Sequence, residues 1–392
     1  MGVRFAPPLT GGQDRLERLD AGGRPGDRDR GDALLPDQET RRRGGRHALD
    51  EDRRHRRDRP LSPRPHPPLS WRQSVFDVSE ACRTSLLSLS RLTTDEVARV
   101  GETAYRFGNS PKEFADRLHG ARVGLLFTAP STRTRSSFWN AAVTLGCHTL
   151  HLGSSELQVS TGESWGDTGA VLAHYVDAAV VRTNGPQDEL GRLAESLPAT
   201  VNALTYEEHP TQAIADLCAL RDHFGGAEQL RLAYLGLVNN TARSLAHLAC
   251  RVPGMRLDVY SPEGAGFPDE ELSEMNDVAG REVVSQRHSV PDAPHPVDAL
   301  YTTRWQSMGV PHKDTDWRAR FAPFRVTKRT MERFSGEAEA VFMHDLPAIR
   351  EQEATSEVLD SPLSLVPRQA YHKTSAAAAA LLRVLGEDIA AR

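Results

Sequence analysis

Lysine is nearly absent from this sequence: four in 392 residues, although Lys and Arg together number 48. Basic charge therefore rests on arginine, a bias that fits a GC-rich coding sequence. Cysteine is equally sparse. Cys82, Cys147, Cys218 and Cys250 stand far apart with no paired spacing, which argues against a zinc site or a disulfide framework and fits a reducing compartment. No apolar run approaches the roughly 20 residues needed to span a bilayer, and the N-terminus lacks the apolar stretch of a secretory signal. The expectation from these absences is a cytoplasmic protein without a membrane partner. No internal repeat is evident, and Ala376 to Ala380 reads as part of a terminal helix, not as low-complexity sequence.

What is present is unevenly spread. Residues 1–74 are dominated by Arg, Gly, Asp and Pro, as in Arg41-Arg42-Arg43 and Pro63-Arg64-Pro65-His66-Pro67-Pro68, and the first seventy positions hold sixteen arginines and no lysine. Such a composition cannot bury enough apolar area to offset the entropy of ordering it, so this stretch reads as a disordered extension. Arginine clusters can bind nucleic-acid phosphates. Here, however, Asp27, Asp29, Asp50, Glu51, Asp52 and Asp58 are interspersed and no aromatic platform accompanies them, so nucleic acid is not an expected partner. The same bias is what translated GC-rich upstream sequence looks like, which leaves open whether the extension belongs to the native protein.

Beyond it, strands alternate with helices, and the chain's 39% hydrophobic content suffices for a large core in two compact units. Order is expected from Val75, with apolar residues at helical spacing through Leu86, Leu89 and Leu92, and with Thr94 and Asp95 placed to cap a following helix. Residues Arg122 to Phe127 read as a buried strand; Phe138, Ala141, Ala142 and Leu145 mark one face of the next helix. Further strands are expected at 147–152, 178–182, 200–204, 231–237, 256–260, 298–303 and 340–345. Strand and helix in alternation imply right-handed crossovers and parallel sheets covered on both faces. The expected fold class is thus α/β, with two domains, each a parallel sheet covered by helices. One spans residues 75–225, completed by a C-terminal helix at 368–392; the other spans 226–367.

Three polar loops follow expected strands. Pro130-Ser131-Thr132-Arg133-Thr134-Arg135 lies between a buried strand and a helix, where free N–H groups, the helix dipole and a guanidinium all favour a phosphate. The alternative is a Ser/Thr helix cap with two solvated arginines. Glu208-His209-Pro210-Thr211-Gln212 opens a helix near Thr211, and by itself His209 fits a structural histidine equally well. The third is Ala340 to Pro347, with His344, Asp345, Leu346 and Pro347 at a strand end. Loops at the carboxyl ends of parallel strands converge where such sheets bind ligands.

Together these segments resemble the aspartate/ornithine carbamoyltransferase family, closer to its ornithine branch, from about residue 80 to the C-terminus. The phosphate loop appears as Ser131 to Arg135, the His-Pro-x-Gln motif as His209 to Gln212, and the His-x-Leu-Pro motif as His344 to Pro347. Tyr175 to Arg182 looks like the strand whose final arginine grips carbamoyl phosphate. Leu157-Gln158 to Glu163-Ser164, with Asp167-Thr168, resembles the loop that reaches into a neighbouring subunit's site. The resemblance implies transfer of a carbamoyl group from carbamoyl phosphate to the amine of an amino-acid acceptor, ornithine being the conventional choice. It also implies a homotrimer, or a multiple of trimers, with shared sites.

By the same resemblance, Ser131, Thr132, Arg133 and Thr134 hold the phosphate, joined by Gln158 from a neighbouring subunit. Arg182 and His209 polarise the carbamoyl carbonyl, Gln212 binds its NH2 group, and the carbonyls of Leu346 and Pro347 accept from that NH2. Lys373 stands where the ornithine branch usually has arginine, keeping the charge but losing the bidentate fork. Attack by a neutral amine builds negative charge on the carbonyl oxygen, so fixed donors lower the barrier. The chemistry calls for no metal and no cofactor.

The acceptor side departs from the pattern. Asn239 and Asn240 match paired asparagines that face the ornithine backbone, and Ser307-Met308-Gly309 resembles the loop that contacts its amino and carboxylate groups. However, Thr303 stands where the ornithine branch has Asp, and Asp345 where it has Cys. Arg304 and Gln306 resemble instead the aspartate branch, where such residues hold carboxylates. The expectation is that Asp345 takes over the missing acid's task from the opposite wall and joins the catalytic residues Arg182, His209 and Gln212. Arg304 and Trp305 are expected to add bulk, so that a shorter diamino acid, or a diaminopropionyl group, is an alternative acceptor. A merely structural Asp345, a surface Arg304 and a non-catalytic phosphate-binding relative are the competing readings.

Overall fold

The computed structural model describes residues 85–197, 199–306 and 316–386. The expected extension at 1–74, the expected order from Val75 to residue 84, Ser307, Met308 and the chain beyond 386 lie outside them. The elements in chain order are α1 (Thr94–Asn109), β1 (Arg122–Phe127), α2 (Arg133–Thr144), β2 (His148–Gly153), α3 (Trp165–Leu172), β3 (Ala178–Arg182), α4 (Gln187–Ser196), β4 (Thr200–Leu204) and α5 (Pro210–Phe224). Then come β5 (Arg231–Leu235), α6 (Asn240–Ala249), β6 (Arg256–Tyr260), α7 (Asp269–Ala279), β7 (Val284–Arg287), β8 (Ala299–Thr302), α8 (Trp317–Phe321), α9 (Lys328–Phe334), β9 (Val341–His344), α10 (Ser356–Leu359) and α11 (Val366–Val384).

All strand pairings are parallel. One sheet has the order β2-β1-β3-β4 and the other β7-β6-β5-β8-β9. Strands enclosed between helices must be apolar on both faces. Accordingly, β3 (Ala-Ala-Val-Val-Arg) and β9 (Val-Phe-Met-His) are buried at every position. Helix α11 crosses back to pack on α1, α2 and α5; its run Ala376 to Leu382 is buried throughout, small side chains letting neighbouring helices approach closely.

Two expectations at the start of the described chain fail. Leu86, Leu89 and Leu92 are all buried, yet they form no α-helix. Leu86 bridges Val201 beside β4, with Leu86 N–H donating to Thr200 O at 2.9 Å, and Leu89–Arg91 is a single 3-10 turn. Spacing of three residues fits a 3-10 turn as well as an α-helix. The cap of α1 is Thr93, not Thr94 and Asp95: its hydroxyl accepts from Glu96 N–H while the Glu96 carboxylate accepts from Thr93 N–H, a reciprocal capping box. Strand β7 was not expected. It is an edge strand in which only Val284 is buried, Ser285 and Gln286 are half-buried and Arg287 is exposed, so its sequence carries no apolar run.

Among the described residues no helix is long and apolar enough to cross a membrane.

Candidate active site

In each sheet the strand order reverses direction once, between β1 and β3 in the first and between β5 and β8 in the second. A crevice opens outside the carboxyl ends of the strands at such a switch point. The loop after β1 and the first turn of α2 carry Ser131 to Thr134, and β3 ends in Arg182, directly paired with Phe127. The loop after β5 leads to Asn239 and Asn240, and the loop after β8 starts with Thr303. These loops, the first turn of α5 and the loop after β9 line one cavity of about 440 Å³. Ser131, Thr132, Arg133, Thr134, Arg182, His209, Gln212, Asn239, Asn240, Thr303, Arg304, Gln306, Asp345, Leu346, Pro347 and Lys373 all reach it.

The donor wall is cationic. Helix α2 begins at Arg133, and Thr132 before it supplies no side-chain cap, so the helix's first amides face the cavity with the positive end of its dipole. Arg182 is 6% exposed and donates from Nη1 to Thr134 Oγ1 at 3.1 Å, while its buried Nε has no partner among the described residues. Burial, with repulsion from Arg133, pulls this guanidinium down to about 10, Asp345 opposing the shift. It stays charged at neutral pH. Arg135 turns away, its guanidinium 5.0 Å from the Phe127 ring centre. His209 is held well below the usual imidazole range by burial and by the cations Lys373 and Arg182, so its ring is neutral. Its backbone N–H donates to Ser244 Oγ at 2.8 Å.

Gln212 is fixed at both ends of its amide. Oε1 accepts from Lys373 Nζ, and Nε2 donates to Asp216 Oδ1 at 2.8 Å. Asp216, fully buried, also accepts from Gln369 Nε2 at 2.8 Å and from the Tyr301 hydroxyl at 3.1 Å. Burial pushes its carboxyl up to about 6. Sequence reasoning did not single out Asp216, Tyr301 or Gln369. The spacings were there: Asp216 is four residues after Gln212 and Gln369 four before Lys373, each pair on one helix face.

The acceptor wall is organised around Asp345. Its Oδ1 accepts from Thr303 Oγ1 at 2.8 Å and its Oδ2 from Thr241 Oγ1 at 2.7 Å. The acid therefore does not face Thr303 from an opposite wall. The two residues follow the neighbouring strands β8 and β9 and are hydrogen-bonded. Thr241 was also missed. Trp305 does not add bulk to the cavity: it is 1% exposed and packs with Ala265, Trp317 and Phe321. Of the pair, only Arg304 lines the cavity, with a buried Nε that has no partner among the described residues.

The asparagines are partly engaged. Asn239 Oδ1 caps α6 by accepting from Thr241 and Ala242 N–H, and Asn240 Nδ2 donates to Thr205 O at 2.8 Å. Leu346 has a left-handed φ of 55° and precedes a cis bond to Pro347. Its N–H donates to His344 Nδ1 at 2.8 Å, which leaves Nε2 as the donor to the buried Glu353 at 3.2 Å. That chain of bonds holds Leu346 at its left-handed φ, a conformation that typically costs a non-glycine residue about 1–3 kcal/mol. Gln158 does not line this cavity; it is exposed, opens a 3-10 turn, and its Oε1 accepts from Thr161. Among the described residues no group of His, Cys, Asp and Glu could hold a metal ion.

Residues 84–222 match the carbamoyl-P binding domain of aspartate/ornithine carbamoyltransferases, and residues 228–384 match their Asp/Orn binding domain. The ornithine carbamoyltransferase of Parafrankia sp. is 41% identical over 281 residues, covering 70% of this chain and 86% of the relative. That of Bacillus cereus is 33% identical over 312 residues, covering 79% and 96%. Among solved structures, ornithine carbamoyltransferase from Pyrococcus furiosus superposes with a TM-score of 0.72 at 32% identity, covering 77% of this chain and 97% of the other.

Proposed function

Because this chain belongs to the aspartate/ornithine carbamoyltransferase family and is a carbamoyltransferase, we propose that its acceptor is a diamino acid of the ornithine kind, carbamoylated on its side-chain amine. Carbamoyl transfer from carbamoyl phosphate to an amino-acid amine is the family's reaction; the choice of acceptor rests on Asp345. A carboxylate is needed beside the amine to hold its ammonium form and pass one proton to solvent before attack. Asp345 lines the cavity with both oxygens steered by hydroxyl donors. No cation is hydrogen-bonded to it among the described residues, so it can still accept from an ammonium.

On the donor wall, the phosphate lies against Ser131, Thr132, Arg133 and Thr134. The carbonyl oxygen lies between Arg182 and the neutral imidazole of His209, and Gln212 with the Leu346 carbonyl faces the NH2 group. Negative charge grows on that oxygen as the amine adds, and each fixed donor there is worth roughly 3–4 kcal/mol in the transition state. Asn239, Asn240, Gln306, Ser307 and Met308 address the acceptor's amino-acid end. Gln158 acts in a partner's site within a homotrimer.

A shorter diamino acid is the second reading, and Arg304 favours it. An acceptor carboxylate bound at its guanidinium, one residue from Thr303, would lie close to Asp345. The test is a rate comparison with carbamoyl phosphate and ornithine, 2,4-diaminobutyrate, 2,3-diaminopropionate and aspartate. A diamino acid as best acceptor sustains the proposal, its length decides between the readings, and aspartate as best acceptor overturns both.

A further inference from the structure

Lys373 is the group in this cavity whose surroundings exceed what charge neutralisation requires. An arginine there would remain a fixed cation, whereas a buried lysine can give up its proton. The residue is only 8% exposed, and its ammonium reaches the cavity from α11 and donates to Gln212 Oε1. Behind Gln212 lies the carboxyl of Asp216, which shares Gln212 Nε2, Gln369 Nε2 and the Tyr301 hydroxyl. The position therefore joins a cavity-facing amine to a buried acid through one amide.

Resting on the carbamoyl-transfer reading above, we propose that Lys373 is the proton-transfer residue for departure of phosphate. Addition of the neutral acceptor amine forms the N–C bond and leaves an ammonium-type nitrogen on the tetrahedral intermediate. As the C–O bond to phosphorus breaks, its electron pair stays on the phosphate oxygen, and Lys373 donates a proton to that oxygen. The resulting neutral amine of Lys373 takes the surplus proton from the former acceptor nitrogen. Lysine ends as it began, the product is a neutral ureido group, and phosphate leaves as its monohydrogen form.

The charges around Lys373 suit this cycle. Burial lowers it to about 8, opposed by Asp216 in α5 and Asp345 after β9, and assisted by Arg182 at the end of β3 and Arg133 in α2. Tyr301 in β8 faces Asp216, and the neutral His209 at the start of α5 also senses the lysine. An incoming phosphate dianion favours the protonated state further, so that the proton is in place before the reaction begins.

Two measurements on the full chain test the assignment. The first is proton uptake when carbamoyl phosphate binds at pH 8, from calorimetry in two buffers of different ionisation enthalpy. Wild type takes up a fraction of a proton, and Lys373→Arg and Lys373→Met lose that uptake. The second is kcat against pH with the best diamino acid. Lys373→Arg is expected to keep carbamoyl phosphate affinity within about threefold but to lose roughly 100-fold in kcat, together with the descending alkaline limb expected of wild type. Uptake unchanged in the variants, or full kcat with an unchanged profile in Lys373→Arg, would overturn the proton-transfer role alone. Failure of wild type to bind carbamoyl phosphate would overturn the carbamoyl-transfer reading with it.

Discussion

The donor and acceptor walls of the cavity are built from the same kind of part, a loop at a parallel-strand end beside a switch point, yet they differ in how their polar groups are used. On the donor wall, Arg182 and the start of α2 hold cationic or N–H groups that the protein itself leaves under-partnered. On the acceptor wall the acid and both asparagines already have protein partners: Asp345 with Thr303 and Thr241, Asn239 with the α6 amides, Asn240 with Thr205. A dianion brings enough negative charge to repay a strained cationic pocket. An amino acid brings both signs and needs pre-oriented partners. Substitutions should therefore separate the walls: donor-wall changes cost rate or phosphate affinity with little loss of fold, and acceptor-wall changes cost positioning.

The largest effect is expected at Arg182. Arg182→Met should lower kcat by roughly 100- to 1000-fold, with a melting temperature equal to or above that of wild type, because a desolvated guanidinium is removed. A fall of many degrees in a thermal scan would show that the cation holds the fold together. Next, Arg133→Ala should weaken carbamoyl phosphate binding by about 1.5–3 kcal/mol, the range for a charged hydrogen bond, as read by calorimetry, again without unfolding. Thr303→Val removes one hydroxyl donor from Asp345. It should cost the diamino acid about 1 kcal/mol in kcat/KM and leave carbamoyl phosphate affinity unchanged; an equal loss on both substrates would erase the distinction between the walls. Smallest in rate is Thr93→Ala, which opens the capping box of α1 far from both walls. It should lower stability by about 1 kcal/mol with kcat within error of wild type.

Legibility in the sequence followed the same division. Strands such as Ala178 to Arg182 announce themselves because full burial demands an apolar run, and the loop Ser131 to Arg135 because free N–H groups and arginine after such a run suit a phosphate. The half-exposed edge strand β7 carried no such signal, and Leu86, Leu89 and Leu92 satisfied two structures at once. The acceptor wall was read residue by residue but not as a set. That Thr303 and Asp345 touch depends on β8 and β9 being neighbours, and that Trp305 turns inward toward Phe321 depends on α8; neither fact is local. The bond from Thr303 to Asp345 replaces the expected opposition of two walls with a single acid held at a strand end.

That single acid is the centre of the account, and one substitution addresses it. Asp345→Asn keeps the shape and both threonine neighbours but removes the negative charge. Steady-state turnover of the best diamino acid should fall by roughly 100-fold or more, while carbamoyl phosphate, titrated by calorimetry, binds the variant as tightly as wild type or slightly more tightly, one like charge having left the cavity. Nearly full turnover by Asp345→Asn would contradict the assignment and return Asp345 to a purely structural partner of Thr241 and Thr303.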